Sequence, residues 1–258
     1  MRFLPRATLA GLCALGLFLS GCENQNVRDQ EAPDRGSLKR ARVQTQLAIG
    51  YMRQRQYQKA QDRLRSAIRE DSSHAPAHNA LGLLYERLGQ PEKAGALYEK
   101  ATVLDPTFAS ARNNFGGWLC NRGKYDEAFS QFEQAIKSPL YDVPQLALFN
   151  AGVCAKKQGN TEKAVNYHAG ALKRDPRLPQ ALYAMAELRY AQKQALSARA
   201  YLQRYTEVGT HSARSLWLGI QIETELGDKD AVSSYGMLLK SKYPDSTQAR
   251  QLGKAQRQ

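Results

Sequence analysis

The sequence predicts an all-α fold, a right-handed superhelical solenoid of six stacked helix hairpins. Three observations carry this. Residues recur at a period of 34: Tyr51 and Tyr85, Gly82 and Gly116, Ala60, Ala94 and Ala128, and Ala67, Ala101 and Ala135. Apolar residues within each copy keep helical spacing, and the Val/Ile/Thr alternation of a sheet is missing. Gly89, Gly123, Gly159 and Gly227 fall between paired helical stretches, where a helix C-terminus favours glycine. A repeat of this size yields an extended binding surface rather than a catalytic pocket.

The chain opens with Arg2 and Arg6, an apolar run from Ala7 to Leu19, and then Leu19-Ser20-Gly21-Cys22. A charged leader, a short apolar core and small residues before a cut site read as an export signal, removed as residues 1–21. The run is shorter than the roughly 20 apolar residues a membrane span needs. The Leu-Ser-Gly-Cys stretch resembles the lipobox of bacterial lipoproteins, in which the cysteine is acylated and becomes the first mature residue. The other reading is an ordinary signal that ends near a cysteine. Several acyl chains on Cys22 anchor a protein stably, and this covalent lipid is the only attached group expected. Glu23, where an aspartate would resemble an inner-membrane retention signal, favours the periplasmic face of the outer membrane.

Residues 22–40 are expected to form a flexible tether, polar from Glu23 to Gly36 and interrupted by Pro33. Six units follow, at about 41–74, 75–108, 109–144, 145–178, 179–211 and 212–245, with a capping segment at 246–258. The first is marked by Leu47, Ala48, Tyr51, Ala60, Leu64 and Ala67; the second by Leu81-Gly82, Tyr85, Ala94, Tyr98, Ala101 and Pro106. Phe115-Gly116, Ala128, Phe132 and Ala135 mark the third, and Gly152, Ala164, Ala171 and Pro176 the fourth. The last two carry Met185-Ala186, Ala198 and Leu202, then Leu218-Gly219, Ala231 and Tyr235. These positions resemble the tetratricopeptide repeat. Gly or Ala on facing surfaces lets two antiparallel helices approach to roughly 8–10 Å. Between the third and fourth units the spacing widens by two residues at Ser138-Pro139-Leu140-Tyr141-Asp142-Val143-Pro144. That insertion either packs on the next helix or presents a surface contact.

The formal charge is +13, which suits acidic partners or anionic headgroups. A periplasmic address argues against nucleic acid, and many Lys and Arg lie beside Glu and Gln on expected helix faces, where a solvated face is the commoner explanation. Cys13 leaves with the signal and Cys22 takes the lipid, so Cys120 and Cys154 remain, 34 apart. In an oxidising compartment they form a disulfide between neighbouring repeats or stay as two small core residues; a Cα separation above about 7 Å excludes the bond. No P-loop, Gly-x-Ser-x-Gly or His-Glu-x-x-His is present. His74 and His78 have a metal-compatible spacing, but Ala75-Pro76-Ala77 places them at a junction of units. His168 falls in the core slot of Tyr98 and Phe132. No catalytic residue, metal or cofactor is expected, and the chain reads as a monomeric, non-catalytic binder.

The first helices are expected to line the concave side. That side carries Thr45, Ile49, Met52 and Arg53, then Asn79, Leu83, Glu86 and Arg87, then Asn113, Gly117 and Asn121, then Phe149, Val153, Lys156 and Lys157. Ile49 and Val153 are expected to serve packing between repeats. The candidate partner-binding groove is Met52, Arg53, Asn79, Leu83, Glu86 and Asn113. Asparagine amides pair with an extended backbone while Leu and Met supply an apolar floor.

One stretch is more specific than the generic repeat, Asn113-Asn114-Phe115-Gly116-Gly117-Trp118-Leu119-Cys120-Asn121-Arg122-Gly123. With Ala77-His78-Asn79-Ala80-Leu81-Gly82, Asn150-Ala151-Gly152-Val153-Cys154 and the lipobox, the chain resembles the type IV pilus biogenesis and stability lipoproteins. The resemblance implies an outer-membrane pilotin that binds secretin subunits and promotes their localisation and assembly. Alternatives are a repeat lipoprotein of outer-membrane β-barrel assembly and an adaptor for peptidoglycan hydrolases.

Overall fold

The computed structural model describes residues 34–255; the export signal, Cys22 and the first part of the tether lie outside them. Among the described residues the chain is helical throughout, with no strand. Six antiparallel hairpins follow one another: α1 (Arg35–Arg53) with α2 (Tyr57–Glu70), α3 (Ala75–Arg87) with α4 (Pro91–Leu104), and α5 (Ala109–Asn121) with α6 (Tyr125–Lys137). Then come α7 (Pro144–Lys157) with α8 (Thr161–Arg174), α9 (Pro179–Ala191) with α10 (Ala195–Val208), and α11 (Ala213–Leu226) with α12 (Lys229–Lys242). A last helix, α13 (Thr247–Ala255), packs on α11 and α12 and buries Ala249 and Leu252 against Leu216, Ile220 and Leu239.

The helix begins earlier than the sequence suggests. Residues 35–40, expected in the tether, form the first turns of α1. Asp34 caps it, its carboxylate accepting the Ser37 N–H at 2.5 Å, which satisfies one of the donors a helix start leaves open. Ser37 is buried with Ala41, so this part of the chain is anchored by packing as well.

One rule builds each hairpin. A small residue on the first helix faces a large one 16 positions later on the second. Gly82 faces Tyr98, Gly116 faces Phe132, Gly152 faces His168 and Gly219 faces Tyr235. A Cβ added at the first three glycines would stand 2.7, 2.8 and 2.5 Å from the opposing ring. Ala48 with Leu64 and Ala186 with Leu202 take the same places in the remaining hairpins, fully or almost fully buried. His168 is therefore a core residue.

Each hairpin turn needs one left-handed residue. Gly89, Gly123, Gly159 and Gly227 provide it, with φ between 69° and 86°. The other two turns use Arg55 (φ 58°) and Lys193 (φ 61°). A side chain in that region costs about 1–2 kcal/mol, partly offset by the unfolded-state entropy that glycine adds. Arg55→Gly and Lys193→Gly are each expected to stabilise the fold by about 0.5–1 kcal/mol, additively because the turns are far apart. Urea midpoints of the two single variants and the double variant check this; a fall in midpoint for either contradicts it.

At three of the five junctions between hairpins, an aspartate closes the chain. Asp71, Asp105 and Asp175 accept the backbone N–H two residues on, from Ser73, Thr107 and Arg177, at 2.8–3.0 Å. The junction between α6 and α7 has the insertion in its place. It does both things the sequence left open: Tyr141 packs with Ala109, Ala135 and Ala147, while Leu140 stands 82% exposed.

Candidate functional site

Along the first helices, α3, α5 and α7 carry a repeated amide contact. Asn114 on α5 donates from its side-chain amide to Asn79 Oδ1 on α3 at 2.9 Å. Asn150 on α7 donates in the same way to Asn113 Oδ1 on α5 at 3.0 Å. A longer contact, 3.5 Å, joins Asn113 to Asn114. The four amides form a ladder across three consecutive repeats. Each such bond adds about 0.5–1.5 kcal/mol and fixes the relative height of neighbouring first helices.

Beside the ladder lies a cleft of about 240 Å³. Asn113, Asn114 and Asn150 form one side, with Glu86, Asn121 and Lys157 at its edge. Cys120 and Cys154 also line it, joined in a disulfide with Cα atoms 5.7 Å apart, inside the bonding limit. Glu86 accepts the Tyr98 hydroxyl at 2.7 Å. Burial pushes the Tyr98 pKa up, and the Glu86 carboxylate pushes it further, so the phenol remains a donor. Lys157 donates to Asn121 Oδ1. Gly117 leaves the middle of the cleft open: a Cβ there would meet nothing within 4 Å. An amide has donors and an acceptor in one plane, as an extended backbone does, so the cleft is suited to a polypeptide segment.

Of the expected groove residues, Glu86 and Asn113 line this cleft and Asn79 joins it through Asn114. Met52 does not belong to a groove. It is 5% exposed within the core of the first two hairpins, where its side chain fills space among Ala48, Leu64 and Leu84. Leu83 is half-buried against the same core, and Arg53 lies exposed on the last turn of α1. Thr45 is also buried, its hydroxyl spent on the Ala41 carbonyl at 2.8 Å. Ile49 and Val153, expected to serve packing, are exposed instead. Asn114 and Asn150 were missed as groove residues. The signal was present, since each stands one place beyond the slot that Asn79 and Asn113 occupy, in a diagonal that a search for identical slots overlooks.

His74 precedes α3, and His78 on its first turn bonds the Ser72 carbonyl at 2.9 Å, so the pair does not share a ligand-binding face. Among the described residues no group of three or more His, Cys, Asp or Glu is placed to hold a metal ion.

Tetratricopeptide-repeat family models match residues 45–107, 108–138 and 147–180. Over 241 residues the chain is 31% identical to the type IV pilus assembly protein PilF of Pseudomonas aeruginosa, covering 93% of this chain and 95% of that protein. The structure of P. aeruginosa PilF superposes with a TM-score of 0.78 at 29% identity, covering 86% of this chain and all of that one. That of PilW, described as a widely conserved type IV pilus biogenesis factor, gives 0.76 at 29% identity, covering 82% and 97%.

Proposed function

The chain belongs to the tetratricopeptide-repeat family of type IV pilus assembly proteins, and on that premise we propose that it is a secretin pilotin. It is held by a lipid on Cys22 at the periplasmic face of the outer membrane, binds secretin subunits and promotes their multimerisation there. It acts by binding, as a monomer, with no catalytic step. The observation that carries the reading is the likeness to PilF over nearly the whole length of both chains. The amide cleft across α3, α5 and α7 supports it, since it offers paired donors and acceptors to an extended segment of a client.

The test is complementation of a strain lacking the gene. The wild-type chain restores secretin multimers in the outer membrane, along with surface pili and twitching. Cys22→Ser leaves the repeats folded but off the outer membrane, with multimers reduced or stranded. Gly117→Trp places an indole in the cleft at a position where an added Cβ meets nothing within 4 Å, and tryptophan is compatible with a helix. It is expected to stay in the outer membrane while weakening secretin co-purification about tenfold, roughly 1.4 kcal/mol. Multimers at wild-type levels with Gly117→Trp move the contact elsewhere on the solenoid. Growth failure in the deletion strain points instead to barrel assembly, and altered cell shape to a hydrolase adaptor.

A further inference from the structure

The stack of first helices is not uniform. Neighbouring first helices touch along the series, but α7 and α9 meet less than the others do. The space between them is a cavity of about 590 Å³ that reaches to the start of α11. Phe149 on α7, Tyr183 on α9 and Tyr205 on α10 give it aromatic walls. Tyr183 and Tyr205 stand with ring centroids 5.7 Å apart, and Phe149 lies 5.4 Å from His168.

His168 contributes to the lining of this cavity and is 1% exposed, yet neither ring nitrogen has a hydrogen-bond partner. Equivalent slots hold Tyr98, Phe132, Leu202 and Tyr235, and the imidazole is the one filler with two ring nitrogens to satisfy. Burial, then Lys156, lower its pKa to about 4, so at neutral pH it presents one donor and one acceptor. Buried polar groups without a protein partner are rare.

The mouth carries the remaining chemistry. Glu187 on α9 bonds Lys156 of α7 and Arg214 of α11, both at 3.1 Å. These three are the charged residues of the lining. Two cations share one carboxylate, and each keeps donors to spare, so the mouth has a net positive charge. Residues 22–33 of this chain include acids but no aromatic residue, so they do not match a cavity of this kind.

We propose that this cavity is a second binding site, for a segment of a protein partner that carries an aromatic side chain next to a carboxylate. The ring sits among Phe149, Tyr183 and Tyr205, where edge and face contacts between rings are favourable. The carboxylate bonds the free donors of Lys156 and Arg214, and a polar group of the segment supplies the bond His168 lacks. The inference does not depend on the pilotin reading: the cavity adjoins the amide cleft at Val153, but its argument holds whichever protein carries the segment.

The test uses the purified protein at low salt, where charge pairing is least screened, and the fluorescently labelled pentapeptide Gly-Asp-Phe-Asp-Gly. Anisotropy is expected to show binding, at least about tenfold tighter than for Gly-Lys-Phe-Lys-Gly or Gly-Asp-Ala-Asp-Gly. Tyr183→Ala and Arg214→Glu are each expected to weaken it about tenfold with helicity unchanged. His168→Phe, which copies the Phe132 slot, keeps the fold and binds more weakly. The proposal is overturned by no binding up to ~1 mM peptide, by equal binding of the acidic and basic peptides, or by insensitivity to Tyr183→Ala and Arg214→Glu. It is equally overturned if the protein self-associates through this face and Tyr183→Ala returns it to monomer.

Discussion

Replacing Gly95 with leucine is expected to destabilise the protein by about 3 kcal/mol or more. Gly95 lies on α4 directly under the indole of Trp118 on α5. A Cβ there would stand 2.2 Å from Trp118 Cζ2 and 2.3 Å from Cε2, well inside contact distance. The indole is not free to retreat. Its Nε1–H donates to the Pro91 carbonyl at 2.6 Å, Phe115 stacks on it at 5.9 Å, and the Arg122 guanidinium lies 5.3 Å from the ring centre. Arg122 is tied in turn to Glu92. Removing a glycine from a helix interior gains about 1 kcal/mol, while overpacking costs about 1–3 kcal/mol and more when nothing can move. The clash therefore outweighs the propensity gain, and leucine outweighs alanine. Chemical denaturation of Gly95→Leu, Trp118→Leu and the double variant decides it: the double should lose less than the two singles together. An unchanged midpoint for Gly95→Leu means the indole is not held as described.

The same joint shows what the sequence can and cannot say. Positions that recur were readable: the 34-residue series, the left-handed glycines and the slot shared by Tyr98, Phe132 and His168 all follow from repetition. Contacts that occur once were not. Nothing repeats the Gly95–Trp118 pair, so periodicity gives it no weight. The boundary of α1 was misplaced because Gly36 and the polar residues around it look like linker, whereas Asp34 and Ser37 turn the same stretch into a capped helix start. Met52 was placed in the groove by its slot, but the end of α1 turns that side chain into the core of the first two hairpins. The amide ladder escaped because its bonds run diagonally between repeats. The α7 wall of the cavity, Phe149, Val153 and Lys156, was read on the concave side, but the cavity itself escaped because it arises from the spacing between helices, which single-residue patterns do not encode. Charge and aromatic content at Tyr183, Tyr205, Glu187 and Arg214 look ordinary one residue at a time.

Removing the disulfide is expected to cost about 3–4 kcal/mol, the loop-closure value for a bond between residues 34 apart. Cys120 on α5 and Cys154 on α7 are both buried, so the bond crosses from one hairpin to the next and encloses all of α6. It also lies beside the amide ladder, where Asn150 bonds Asn113 between the same two helices. The bond and the ladder thus fix one interface twice, once covalently and once through side-chain amides. Alanine in place of each cysteine avoids burying an unpaired hydroxyl. The discriminating result is the failure of additivity. Cys120→Ala alone already breaks the bond, so adding Cys154→Ala should lower the denaturation midpoint little further. Costs that simply add would mean that the two sulfurs act as separate core residues. The loss should appear in the oxidised protein and shrink when wild type and variants are compared under reducing conditions, because a reduced wild type has already given up the constraint on its unfolded chain.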